Sequence, residues 1–233
     1  LIKEPRRIIA SNINGDEGDP VPLDEVKRFF MQHIDFHFPH HAAASFSNLA
    51  LVGINSWVSV YFIRIHGWSL SEAGLNIGMS LILGGLMGLV GGGFLSDRMS
   101  TLFAGGKAIF CLICALMTVP FSILFALTDN AFYALVFFAL SYGFMVAPIP
   151  SAAAILQEVT PNRMRGTLSA FYLLVISIIG LALGATIVAL INDNFFDGDS
   201  GIRESLLIAI PAFNLVATFF YFMLIKPYRD RCS

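Results

Sequence analysis

Two short stretches set acids and bases side by side at the ends of long uncharged runs. GGGFLSDRMS carries Asp97 and Arg98, and EVTPNRMRG carries Glu158, Arg163 and Arg165. A carboxylate at a helix end can accept hydrogen bonds from the amino end of a neighbouring helix, whose dipole favours an anion, and can pair with a nearby Arg. At a partly hydrated interface such contacts contribute roughly 0.5 to 3 kcal/mol each. That is the scale of a latch made in one conformation and broken in another. The plainer reading is that these charges only keep the ends of the runs in water.

Other reactive residue types lead to less. Cys111 and Cys114 form a CxxC, but inside an apolar helix two thiols lack the polar surroundings of a metal site or redox pair, so they read as packing. His33 and His37 lie four apart and could bridge a metal. Pro39 interrupts the helix, however, and no acid or thiol completes a shell, so these histidines are expected on a surface helix facing solvent or lipid headgroups. Neither a metal nor a cofactor is expected. An intramembrane hydrolase would need a nucleophile with its base, or a carboxylate pair, inside the bilayer; the apolar runs hold no Asp, Glu or His. The sequence therefore does not read as an enzyme, and nothing in it points to nucleic acid.

The elements that must position the charged stretches are the runs themselves. Of the 233 residues 56% are hydrophobic and 13% charged, against roughly 25% charged in soluble domains. Ala43 to Ile63, Ala73 to Leu95, Ala108 to Leu127, Ala131 to Leu156, Leu168 to Ile191 and Ser205 to Ile225 contain no Asp, Glu, Lys, Arg or His. Each has about the 20 residues a helix needs to cross a bilayer. The expected architecture is an all-α membrane protein with a six-transmembrane-helix bundle over 43–225, a cytoplasmic segment over 1–42 and a cytoplasmic tail over 226–233. Twelve of the fourteen basic residues fall on one side of this topology, with only Arg64 and Arg203 on the other. The positive-inside rule then places both termini in the cytoplasm.

Within 1–42, SNINGDEGDPVP is rich in turn formers. LDEVKRFFMQHI spaces Leu23, Val26, Phe30 and Ile34 as one helical face, which predicts an amphipathic helix on the membrane surface, ended at Pro39. Ser69 and Glu72 have capping-box spacing, so the second span should begin there. The third and fourth spans are joined only by TDN, and the fifth and sixth by an acidic connection containing Asp193 to Asp199.

Small residues recur every four positions in the second span, at Ser80, Gly84, Gly88 and Gly92, and the fifth repeats the device with Gly180 and Gly184. Such ridges let helices approach closely where lipid provides no hydrophobic drive. Polar residues that could line a passage also share faces. Asn48, Asn55 and Ser59 form a stripe in the first span, Asn76 and Ser80 lie one turn apart in the second, and Tyr142 precedes APIPS, where Pro148 and Pro150 invite a kink. Each could equally be an interhelical hydrogen bond worth ~0.6 kcal/mol.

Gly93, Leu95, Asp97 and Arg98 resemble the G-x-L-x-D-R signature of the major facilitator superfamily, and EVTPNRMRG resembles its E-x-x-P-x-x-x-R-G. The first match is partial, since MSTLFAGGK supplies only Lys107. EPRR, FIRIHGWSLSEAG and GATIVALINDNFF are similar to the spinster-like branch. The resemblance implies the C-terminal six-helix half of a twelve-helix carrier, with LIKEPRR in the link between halves. It further implies a partner in the missing N-terminal half, an alternating-access secondary transporter, and an amphiphilic, lipid-like or organic-anion substrate. It places Asp97, Arg98, Glu158, Arg163 and Arg165 in the cytoplasmic latch, and the pathway on the first, second, fourth and fifth spans. Because the six runs contain no ionisable residue, any proton or ion coupling is expected to lie in the other half. A bacterial inner membrane is the expected location. The alternative is a six-helix scaffold or receptor acting as a dimer.

Overall fold

In a computed structural model, residues 21–196 and 201–232 are described; the segment LIKEPRR, most of the turn-rich stretch before Leu23 and positions 197–200 of the acidic connection lie outside them. Among the described residues six helical segments are long and apolar enough to cross a membrane: Ile34–His66, Leu70–Leu102, Gly106–Leu127, Ala131–Val159, Asn162–Phe195 and Ile202–Arg231. No strand is present among the described residues.

Helix α1 (Leu23–Gln32) buries Val26 against Met164 and Leu168. The chain turns at His33 and enters α2 (Ile34–His66). Pro39 does not end a helix, contrary to the sequence reading. It lies near the start of α2, where its missing N–H forfeits a single bond, to the Asp35 carbonyl. The first span therefore starts at Ile34 and carries three histidines into the packed bundle.

The second span comprises α3 (Leu70–Leu86), a π-helical turn over Met87–Gly91 and α4 (Gly92–Leu102). Its start follows from the capping box: the Ser69 hydroxyl accepts from the Glu72 amide and the Glu72 carboxylate from the Ser69 amide. Asp97 and Arg98 sit inside α4, which runs on to Leu102, so the helix continues past the uncharged run that ends at Leu95. Gly105, at φ 80°, turns the chain into α5 (Gly106–Leu127).

Asn130 caps α6 (Ala131–Val146) by accepting from the amides of Phe132 and Tyr133. The fourth span breaks at Ala147 and resumes as α7 (Pro148–Val159); Pro148 at the first position of a helix has no amide to leave unpaired. A 3-10 turn at Asn162–Met164 leads into α8 (Arg165–Phe195). The last helix, α9 (Ile202–Cys232), continues through most of the expected tail.

Packing follows from the residue types at each crossing. α2 lies against α8 and α9, α5 against α9 and α6, and α3 against α6. One rim of the bundle gathers the starts of α2, α5 and α8 and the ends of α4, α7 and α9. The opposite rim holds the Ser69 cap and an ion pair between Arg203 and Asp129 at 2.8 Å.

Candidate functional site

Two features of this architecture bear on function: the charged rim and the faces of the first, second, fourth and fifth spans. At the rim, Glu158 at the end of α7 accepts from Lys107 at the start of α5 and from the Tyr228 hydroxyl on α9. Arg231 donates to both carboxylate oxygens of Asp35, at 2.8 and 2.9 Å, and its guanidinium carbon lies 5.7 Å from the centre of the Phe36 ring. These contacts clamp α9 to α7 and to α2.

The five charged residues singled out in the sequence share this rim but are not brought into one network. Asp97 and Arg98 are exposed on α4, and Asp97 makes no ion pair among the described residues. Arg163 is exposed, and Arg165 donates through Nε to the Thr160 carbonyl at 3.1 Å. Glu158 alone is in a side-chain network, with partners the sequence reading missed. Lys107 was visible as the single base of its loop, whereas Tyr228 carried no signal because it lies 70 residues from Glu158.

The polar residues of the spans separate as well. Asn48 donates to the Ile176 carbonyl at 2.7 Å, tying α2 to α8. Asn55 is exposed and Ser59 half-buried on α2. Tyr142 stacks obliquely on Phe138 with ring centres 6.1 Å apart. Asn76 and Ser80 share one cavity, a largely apolar groove of about 710 Å³ between the second and fourth spans, bounded also by Leu83, Gly84, Leu140 and Phe144.

Beneath that groove the second and fourth spans touch through backbone. A Cβ on Gly84 would sit 2.5 Å from the Ala139 carbonyl oxygen, one on Gly92 2.8 Å from the Ala147 Cβ, and one on Gly88 would collide with the Gly143 carbonyl. The first and fifth spans meet similarly, with the Gly184 position 3.0 Å from the Leu49 carbonyl oxygen and Gly180 closed off by the Asn48 amide.

The remaining candidates are settled by burial. Cys111 and Cys114 are buried free thiols, and Cys111 lies 3.9 Å from the Pro148 carbonyl, a packing position at the helix break. His37 is buried, with His40 and His41 buried beside it, which overturns the expectation that it faces solvent or headgroups; His33 is half-buried. Among the described residues no group of three or more His, Cys, Asp or Glu is placed to hold a metal.

With this architecture in view, the family model of the Major Facilitator Superfamily matches residues 9–185. The chain belongs to the Major Facilitator Superfamily. An MFS-type efflux pump of Mycolicibacterium smegmatis is 27% identical over 191 residues, covering 81% of this chain and 44% of that protein. A crystal structure of a bacterial homologue of the human lysosomal transporter Spinster, inward-facing and unoccupied, superimposes with a TM-score of 0.78 at 22% identity, over 94% of this chain and 55% of that one. The inward-facing, occupied structure of a bacterial Spinster homologue gives 0.61 at 17% identity, over 85% and 50%. The chain thus spans about half the length of the relatives it matches. It is an integral, multi-pass membrane protein with a superfamily fold, and the six-helix bundle is the unit common to them.

Proposed function

We propose that this bundle is one wall of a secondary transporter that works by alternating access, paired with a second six-helix half. The observation that carries the reading is a superfamily fold of six membrane-crossing helices that equals about half of its relatives. Carriers of this kind bind substrate near the membrane midplane between two bundles that rock against each other. The substrate is an amphiphilic, lipid-like molecule or an organic anion; the apolar groove with its two polar residues supports an amphiphile. The rim with most of the basic residues faces the cytoplasm of a bacterial inner membrane, and the efflux pump relative makes export the direction to test first.

In this reading Asp97, Arg98, Arg163 and Arg165 are the latch residues turned toward the other half, because their side chains are exposed at the rim. Glu158 belongs to the same rim but holds α5, α7 and α9 together. Residues 1–33 link the halves, the bundle that starts at Ile34 forms the wall, and the end of α9 closes its cytoplasmic side. The test is uptake by the complete protein in liposomes against a panel of lysolipids and organic anions, with and without a pH gradient. Asp97→Asn and Arg165→Ala are each expected to abolish net transport while the protein remains folded. Unchanged uptake in both would remove them from the mechanism, and no uptake of any panel member by the parent protein would count against the carrier itself.

A further inference from the structure

The rim contains a cluster for which neither packing nor the latch gives a reason. His37 and His40 are fully buried and His41 is 7% exposed. The His37 and His41 ring centres are 5.8 Å apart, and those of His40 and His41 5.4 Å. Aromatic rings close over them from three helices. Phe30 of α1 stacks on His37 at 4.6 Å, Phe36 of α2 on His40 at 5.6 Å, and Tyr172 of α8 lies 5.0 Å from His40.

The hydrogen bonds fix where the imidazole protons are. A neutral imidazole has one N–H and one lone pair. His40 Nε2 lies 2.9 Å from the Ala152 carbonyl oxygen, and His41 Nδ1 lies 2.8 Å from the His37 carbonyl oxygen. Carbonyls only accept, so these two nitrogens carry the hydrogens. The lone pairs fall on His40 Nδ1 and His41 Nε2, and both atoms are buried without a partner, as are both ring nitrogens of His37. Orphaned buried polar atoms are rare, and each costs about 1 to 3 kcal/mol. A cluster of them points to a ligand that takes up bare lone pairs. A metal is not supported by the arrangement. A proton requires no added volume, and the aromatic faces stacked on His37 and His40 stabilise an imidazolium.

We propose that His37, His40 and His41 form a proton-binding site, and that its occupation exchanges the packed rim described here for one opened to water. An imidazolium sealed from solvent is costly, so proton and water must enter together. A ligand that binds two conformations unequally shifts the balance between them by that difference. The spacing of the rings favours one proton over two, because a second positive charge would sit beside the first. Other titratable or charged groups face the cluster from each side. His33 lies at the turn before α2, Asp35 on α2, Arg231 on α9 and Tyr172 on α8, while α1 presents Phe29 and Phe30 and α7 the Ala152 carbonyl.

Proton binding does not depend on the carrier reading; its coupling to transport does. The experiment follows the imidazole nitrogen signals of the complete protein in lipid nanodiscs by nuclear magnetic resonance, from about pH 8 to about pH 5. One signal from this cluster should become that of an imidazolium, and it should vanish in the variant H37Q/H40Q/H41Q. Spin labels at the exposed positions Lys27 and Thr167 should move apart over the same interval in the parent only. All three rings staying neutral, or protonation with no change in label distance, would overturn the proposal. If the triple variant fails to fold, His41→Gln replaces it in the same comparison, since Gln can still donate to the His37 carbonyl. In vesicles, gradient-driven uptake should fall about tenfold in the variant. Absence of uptake by the parent would overturn the carrier reading, while the nitrogen signals would still decide the proton site.

Discussion

The α2–α8 crossing and the α3–α6 crossing use the same glycine device but are finished differently. Between α2 and α8 the close approach at Gly53 and Gly184 is fixed by two side chains that donate across the gap: Asn48 to the Ile176 carbonyl at 2.7 Å and Trp57 to the Ala185 carbonyl at 3.0 Å. Between α3 and α6 the glycines meet carbonyls directly, and no side-chain hydrogen bond bridges the two among the described residues; the nearest tie is the Ser151 to Ser96 hydroxyl bond at 2.7 Å between α7 and α4. This second pair also contains the π-helical turn at Met87–Gly91 and the break at Ala147. Backbone contact alone sets distance but not register, whereas a donor reaching a particular carbonyl sets both. The first and fifth spans are thus a fixed frame, and the second and fourth are the pair in which bending and sliding cost least.

The strongest way to break this comparison is to fill the close crossing. Gly88→Leu would drive a side chain into the Gly143 carbonyl and Val146, and backbone cannot step aside as a flexible side chain can. The expected cost is about 3 kcal/mol or more, seen as loss of monodisperse protein on size exclusion. Gly91→Leu, in the same π-helical turn with nothing within 4 Å of its Cβ position, should change stability by less than about 0.5 kcal/mol. Equal behaviour of the two variants would mean that the second and fourth spans do not touch at Gly88.

At the other crossing the obstacle is a side chain, which makes the effect smaller and separable. A methyl group on Gly180 would meet the Asn48 amide, so Gly180→Ala should displace Asn48 and cost about 1 to 2 kcal/mol through overpacking and the lost hydrogen bond. In an Asn48→Ala background the same methyl would meet the Cβ of residue 48 at 3.4 Å, an ordinary van der Waals contact, and most of the penalty should disappear. A double-mutant cycle on thermal unfolding of the complete protein checks this. Strict additivity would show that Asn48 does not hold the crossing.

Much of this frame was legible in the residues. Runs without charge located the six spans, the four-residue spacing of Gly84, Gly88 and Gly92 marked a packing ridge, and Ser69 with Glu72 gave the start of the second span, since all of these are local patterns. The rim was only partly legible. Asp97 and Arg98 read as the end of the second span because the uncharged run stops at Leu95, yet α4 continues to Leu102. The Glu158 network joins residues 51 and 70 positions away, which no local pattern encodes. The histidines were misplaced by one assumption about Pro39. Near a helix start proline forfeits a single bond, so α2 runs through it and encloses a cluster that reads as surface on paper.

The finest test of the frame is Trp57→Phe, which removes one N–H and keeps most of the ring. The Ala185 carbonyl that accepts from Trp57 also lies within α8, where an i+4 amide can satisfy it, so the change strands no buried acceptor. Interhelical bonds in lipid average ~0.6 kcal/mol, and the unfolding midpoint should hardly move. The register should respond more than the stability. Amide hydrogen exchange around Gly184 is expected to speed up several-fold while exchange around Gly143 stays at the parent rate. If both crossings loosened equally, Trp57 would be stabilising the bundle as a whole, and the division into a fixed pair and a pliable pair would fail.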